Sequence, residues 1–167
     1  VEGRWACPEF CEIAPRQNGK SFKWAARILG GLFVLNEELI TYTAHKVSTA
    51  LEVFNLVDRI ARGHPETRRL IRRTVNAQGR EQSELKNGQR FMVVARTRSG
   101  GRGFGGSPLI LDEALELRDH GPINALIPMP SAQPNPQRIY GSSAGRPGAG
   151  VLAAASDRGG GGRGPGP

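Results

Sequence analysis

The residues with the clearest chemical potential are Ala14-Pro15-Arg16-Gln17-Asn18-Gly19-Lys20-Ser21. They read A-x-x-x-x-G-K-S, the pattern of a phosphate-binding loop with Ala where the first Gly usually stands. A tight turn after a strand aims several backbone N–H groups at one point, and the N-terminus of the next helix adds positive potential there. Gly19 lets the backbone approach phosphates without a Cβ. Lys20 would reach the β- and γ-phosphates of ATP, and Ser21 would hold Mg²⁺. A second group, Asp112-Glu113, closes the apolar run Pro108-Leu109-Ile110-Leu111. Such a run suits a strand buried on both faces of a parallel sheet, and its acids would fall at the carboxyl edge where such sheets bind ligands. Asp112 would join the Mg²⁺ shell and Glu113 would polarise the attacking water, the second half of an ATP-hydrolysing site. The plainer alternatives are a polar surface turn at Gly19-Lys20 and an acid pair capping the next helix. A third group is Gly141-Ser142-Ser143-Ala144-Gly145, where small hydroxyl residues at a strand end could sense the γ-phosphate. A plain Ser-Gly turn is the commoner explanation of such a stretch.

These groups need a strand before the loop, a helix after it and parallel neighbours. Phe10 to Ile13 is a short, mostly apolar run suited to the strand. After Ser21, apolar residues recur at Phe22, Ala25, Ala26, Leu29 and Leu32, the helical period, and Gly30-Gly31 signals a stop. Leu39-Ile40-Thr41-Tyr42-Thr43 is rich in β-formers and predicts a second strand. From Lys46 to Arg62, Val47, Ala50, Leu51, Phe54, Val57 and Ala61 line one helix face, ended by Gly63-His64-Pro65. Pro65 can open another short helix, on which Arg68, Arg69, Arg72 and Arg73 would form a basic stripe. That stripe suits DNA contact or a solvated face equally. Asn87-Gly88 between Glu84-Leu85-Lys86 and Arg90-Phe91-Met92-Val93-Val94 predicts a hairpin. The glycine-arginine stretch from Arg96 to Gly106 could follow a phosphate backbone or serve as a connector. Gln137-Arg138-Ile139-Tyr140 is a further strand candidate.

The chain has 167 residues, enough for one domain of ordinary size, with a lean 38% hydrophobic content. Net charge is +8 and the pI about 10.5, which favours a polyanionic partner, nucleic acid first. Scattered arginines on a solvated surface would produce the same excess. No apolar run approaches a membrane span and no signal peptide is visible, so the expectation is a cytoplasmic protein without membrane contact. Cys7 and Cys11 stand alone in C-x-x-x-C spacing, which predicts free thiols. Arg146 to Pro167 is mostly Gly, Ala, Pro and Arg and predicts a disordered tail. The expected division is an incomplete ATPase domain over 1–148 and the tail over 149–167.

As a set, these segments resemble the ATPase domain of the large terminase subunit of tailed phages. The resemblance is carried by Pro15-Arg16-Gln17-Asn18-Gly19-Lys20-Ser21, Tyr42-Thr43-Ala44-His45, Ala95-Arg96-Thr97-Arg98, Leu109-Ile110-Leu111-Asp112-Glu113-Ala114, and Pro134-Asn135-Pro136-Gln137 leading to Ser142-Ser143-Ala144-Gly145. Order and spacing match from roughly residue 10 to residue 148. It implies an α/β, RecA-like P-loop NTPase with a mostly parallel sheet flanked by helices. It also implies an ATPase, using ATP and Mg²⁺, that drives double-stranded DNA into a procapsid in the bacterial host cytoplasm. Portal protein and small terminase subunit are implied partners, with a possible homo-oligomeric ring. By the same resemblance, the stretch from Ala14 to Ser21 binds nucleotide. Arg16 stabilises γ-phosphate charge, Ser21 and Asp112 hold Mg²⁺, Glu113 is catalytic, and Ser142, Ser143 and Ala144 couple hydrolysis to movement.

The chain departs from that family in three ways. Only thirteen residues precede Ala14, where family members carry segments that help hold adenine. After Ala144 the sole acid is Asp157, so the carboxylate cluster of the family's nuclease domain is missing. The glycine-rich tail is unlike the family. With Val1 as an odd start, the expectation is a truncated product, a prophage remnant or an isolated fragment. Two rival functions follow: a helicase or other translocase of the same P-loop class, and a non-catalytic basic protein that binds nucleic acid.

Overall fold

Two stretches of the chain are too apolar to face water on either side, and they form the middle of a sheet. Leu39–Thr43 (β2) is buried at all five positions and Leu109–Leu111 (β6) at all three. The computed structural model describes residues 5–15, 18–77, 81–94, 107–114 and 135–143. Arg16, Gln17, the glycine-arginine loop, Ala144 and the tail lie outside the described residues.

In chain order the elements are β1 (Glu9–Ala14), α1 (Lys20–Phe33), β2, α2 (Val47–Gly63), α3 (Pro65–Arg68), β3 (Ile71–Val75), β4 (Gln82–Leu85), β5 (Arg90–Val93), β6 and β7 (Arg138–Ser143). One sheet holds all seven strands in the order β1-β7-β6-β2-β5-β4-β3. The pairs β1/β7, β7/β6, β6/β2 and β2/β5 are parallel; β5/β4 and β4/β3 are antiparallel. Gly88, at a φ of 90°, turns the β4–β5 hairpin expected at Asn87-Gly88.

Successive strand residues face opposite sides. Ile40, Tyr42, Phe91, Val93, Ile110 and Ile139 therefore share one face, and α1 and α2 cover it with Trp24, Ala25, Ile28, Leu32, Ala50, Val53, Phe54 and Val57. Phe54 stacks on Phe91 with ring centroids 5.6 Å apart. Leu39, Thr41, Thr43, Met92, Val94, Leu109 and Leu111 on the other face are also out of solvent. No described helix is long and apolar enough to cross a membrane. Cys7 and Cys11 are free and exposed.

Four local expectations need correction. Helix α1 does not stop at Gly30-Gly31 but runs to Phe33. Gly31 is there for packing: a Cβ on it would lie 2.6 Å from Ile40 Cδ1 and 2.9 Å from Nη1 of Arg27, inside the Arg27–Glu37 pair. The buried stripe of α1 is Trp24, Ala25, Ile28, Gly31 and Leu32, while Phe22 is exposed. Arg72 and Arg73 are not on a helix with Arg68. Helix α3 ends at Arg68, and β-branched Ile71, Thr74 and Val75 carry the chain into edge strand β3. Finally, Gly141, Ser142 and Ser143 are strand residues of β7, not a turn.

Beside β3, the buried carboxylate Glu84 accepts from Arg72 at 2.8 Å and Arg73 at 2.6 Å. The Arg73 hydrogen bond, aided by the charges of Arg73 and Arg72, holds the Glu84 carboxyl below its ordinary value, against the opposing effect of burial.

Two outcomes test this packing. Gly30 has open space around it, so Gly30→Ala should stabilise by about 0.5–1 kcal/mol. Gly31→Ala should destabilise by about 1–3 kcal/mol in urea unfolding, as overpacking does. Because the Glu84 pKa is lowered by folding, the unfolded chain binds its proton more readily. The stability advantage of wild type over Glu84→Gln should be full well above the ordinary carboxylate value of 4.5 and shrink as pH falls below it.

Candidate functional site

The site forms where the parallel strands end. β1 finishes at Ala14, and in register beside it β7 finishes at Ser143; β6 finishes at Leu111 against Tyr140 of β7 and Thr43 of β2. The carboxyl edge thus carries, side by side, the strand ending at Ala14, the Ser142-Ser143 strand, the strand ahead of Asp112-Glu113 and the strand leading to His45. Such an edge is where open α/β sheets take ligands.

Gly19 caps α1 with φ at 68°, a left-handed conformation that glycine adopts without cost. Its carbonyl accepts from Phe22 N at 3.0 Å and Lys23 N at 3.2 Å, starting the helix. Gly19 offers no side-chain cap, and no acid lies in the first turn of the helix. The carboxylates near the start of this 14-residue helix come from other elements, Asp112 on Lys20 and Glu12 on Lys23. An anion at such a helix end meets backbone N–H groups and favourable potential.

Lys20, on the first turn, reaches across to Asp112: Nζ lies 2.7 Å from Oδ1. The Asp112 side chain is only 2% exposed. Its Oδ2 accepts from the Tyr42 hydroxyl at 2.7 Å, and Oδ1 also accepts from Glu113 N at 2.8 Å. Its backbone N donates to Thr43 O at 2.8 Å, which ties the end of β6 to β2. Between the lysine and aspartate elements stands Gly141 of β7. A Cβ there would lie 2.2 Å from the Trp24 ring and 3.1 Å from Asp112 Oδ1. The bare backbone lets the α1 tryptophan and the aspartate approach the same strand.

Glu113 leaves the strand with φ at 53°. Its Oε2 accepts from His45 N at 3.1 Å and Lys46 N at 3.4 Å, so its carboxylate faces the loop after β2. Ser142 is buried, and its hydroxyl donates to Ser143 O at 3.4 Å. The half-buried Ser21 follows Lys20 on the first turn of α1. The Ser21 hydroxyl and Asp112 carboxylate are hard oxygen donors of the kind Mg²⁺ prefers, and a helix N-terminus with Lys20 suits phosphate. The donor set fits the expected ligands.

The structure therefore brings Lys20 into contact with Asp112 and sets Glu113 against the loop at His45. It leaves Ser142 and Ser143 on the strand between Ala14 and Leu111. Arg16, Gln17 and Ala144 lie outside the described residues. Two contributors carried no role in the sequence reading. Tyr42 was visible only as part of a motif, although a buried tyrosine signals a hydroxyl partner. Trp24 gave no signal beyond helical periodicity.

Solved structures share this architecture. The chain matches the large terminase of bacteriophage HK97 with a TM-score of 0.79 at 19% identity, covering 92% of this chain and 33% of that one. It matches the ATPase domain of the large terminase of Thermus phage P74-26 at 0.64 and 17% identity, over 86% and 62%. A large terminase from a thermophilic bacteriophage, in complex with ADP, matches at 0.57 and 11%, over 80% and 33%. No protein-family model matches the sequence, and no curated protein matches it. At these identities the likeness carries the fold, which is the RecA-like fold of phage large-terminase ATPase domains. The chain spans about a third of the HK97 protein.

Tyr42→Phe removes one hydrogen bond to a buried carboxylate. It should cost about 1.5–3 kcal/mol in urea unfolding, the range for hydrogen bonds to charged groups.

Proposed function

We propose that this chain is an ATP-hydrolysing motor domain of the DNA-packaging, large-terminase type, acting on double-stranded DNA. The observation that carries the reading is the 2.7 Å contact between Lys20 and Asp112 at the carboxyl edge of a mostly parallel sheet. Lys20 would hold the β- and γ-phosphates of ATP, and Arg16 would offset charge developing on the γ-phosphate. Ser21 and Asp112 would hold Mg²⁺. When bound, that ion neutralises phosphate charge and orients the leaving group. Tyr42 would keep Asp112 aimed at the cation. Glu113 would accept the proton of the attacking water. Ser142, Ser143 and Ala144 would couple hydrolysis to movement. Portal protein, small terminase subunit and further copies of the chain in a ring are the partners this reading calls for.

One observation favours the non-catalytic alternative. Glu113 Oε2 already accepts from two backbone N–H groups, which would compete with a water for that oxygen, whereas a basic chain would bind nucleic acid without any catalytic base.

DNA-stimulated ATP hydrolysis separates the two. Lys20→Ala should lower the rate about 10²–10³-fold, as loss of one preorganised electrostatic donor does. Glu113→Gln should lower it about 10²–10⁴-fold as loss of base catalysis, with ATP binding retained. Normal hydrolysis by Glu113→Gln would remove Glu113 from its role. No turnover in wild type, with DNA binding insensitive to Lys20→Ala, would favour the non-catalytic reading. Strand separation in a helicase assay would point to the related translocase class.

A further inference from the structure

The chain's arginines are not spread evenly. Between Asp58 and Arg73 stand Arg59, Arg62, Arg68, Arg69, Arg72 and Arg73, against Asp58 and Glu66. The fold gathers them at one margin: the last turns of α2, the single turn of α3, and β3, the sheet edge opposite β1. Arg62 donates to Thr74 Oγ1 at 2.6 Å, which joins the helix end to the edge strand.

Arg72 and Arg73 are adjacent on a strand, where side chains ordinarily alternate between faces. The register shifts between Ile71 and Arg73, and both arginines grip Glu84. One carboxylate, 9% exposed, anchors two guanidinium groups whose side chains stay 64% and 61% exposed. A single acid compensates one of the two charges. The anchored arginines have already lost part of the rotamer freedom that binding would otherwise take from them. Arg69 pairs with Glu66 in full solvent, and Arg68 is exposed beside it. Among the described residues from Asp58 to Arg73, together with the anchoring Glu84, six arginines stand with three acids, Asp58, Glu66 and Glu84, so positive charge prevails. It stands apart from the Lys20–Asp112 site, with β2, β5 and β4 between β6 and β3.

We propose that this arginine margin is where the chain grips the phosphate backbone of duplex DNA. The surface is argued from charge and anchoring; duplex DNA as its polyanion rests on the motor reading above. Guanidinium groups suit phosphate through paired N–H donors, and such contacts release counterions without reading sequence.

The test is equilibrium binding of a fluorescent mixed-sequence duplex to the full chain, without nucleotide, over a salt series. Arg72→Gln/Arg73→Gln should weaken binding at every salt concentration and make the slope of log K against log salt shallower by about two. That pair also strips Glu84 of its partners, so Arg68→Gln/Arg69→Gln, both exposed, provides a second arm with the same expected change. Unchanged affinity and slope in both variants, with thermal unfolding intact, would overturn the proposal. The arginines would then serve to keep a sheet edge from pairing with other chains, as edge charges do. Loss of binding to phosphatidylserine vesicles with unchanged DNA binding would overturn it as well. Turnover is not involved in either arm. Hydrolysis insensitive to Lys20→Ala would sink the motor reading while leaving the DNA result standing.

Discussion

The structure depends on one buried charge. Asp112 sits almost without solvent at the end of a strand covered on both faces. An isolated carboxylate there would be expensive, and removing one partner from a buried pair costs about 3–5 kcal/mol. The neighbourhood supplies the carboxylate with partners. Lys20 supplies the opposite charge, Tyr42 a hydroxyl and Glu113 a backbone N–H. Three separate segments of chain must be in register for these groups to converge, so the ion pair and the sheet order support each other.

Glycines make that convergence possible for two different reasons. Gly19 is needed for its backbone angle, since the space around it is open. Gly141 is needed for its missing side chain, because the Trp24 ring and Asp112 occupy the place where a Cβ would go. At Gly141, β7 is therefore approached closely by Trp24 of α1 and by the Asp112 carboxylate.

The two edges of the sheet differ in character. β1 shows water Phe10 and Ile13, whereas β3 shows it Arg72 and Arg73. The charged edge is held in shape by Glu84, whose own carboxyl is kept ionised by the arginines it anchors. The pairing is reciprocal: the acid orders the bases and the bases hold the acid charged.

Much of this was legible before any coordinates. Short-range rules found the loop before α1, the buried strand ahead of Asp112 and the Asn87-Gly88 hairpin, because turn chemistry and apolar runs are local properties. The resemblance to terminase ATPase domains, upheld at the level of fold, rested on the order of such local segments. The misses share one cause. Gly31 looked like a helix stop until Ile40 was seen packed against it; Arg72 and Arg73 looked helical until Glu84 drew them to a strand edge; Gly141 looked like a turn until Trp24 was seen filling its missing side chain. Residue types and spacing could name the reactive groups. Only the packed sheet could bring Lys20 to Asp112, because strand order and register are set by contacts between residues far apart in the chain.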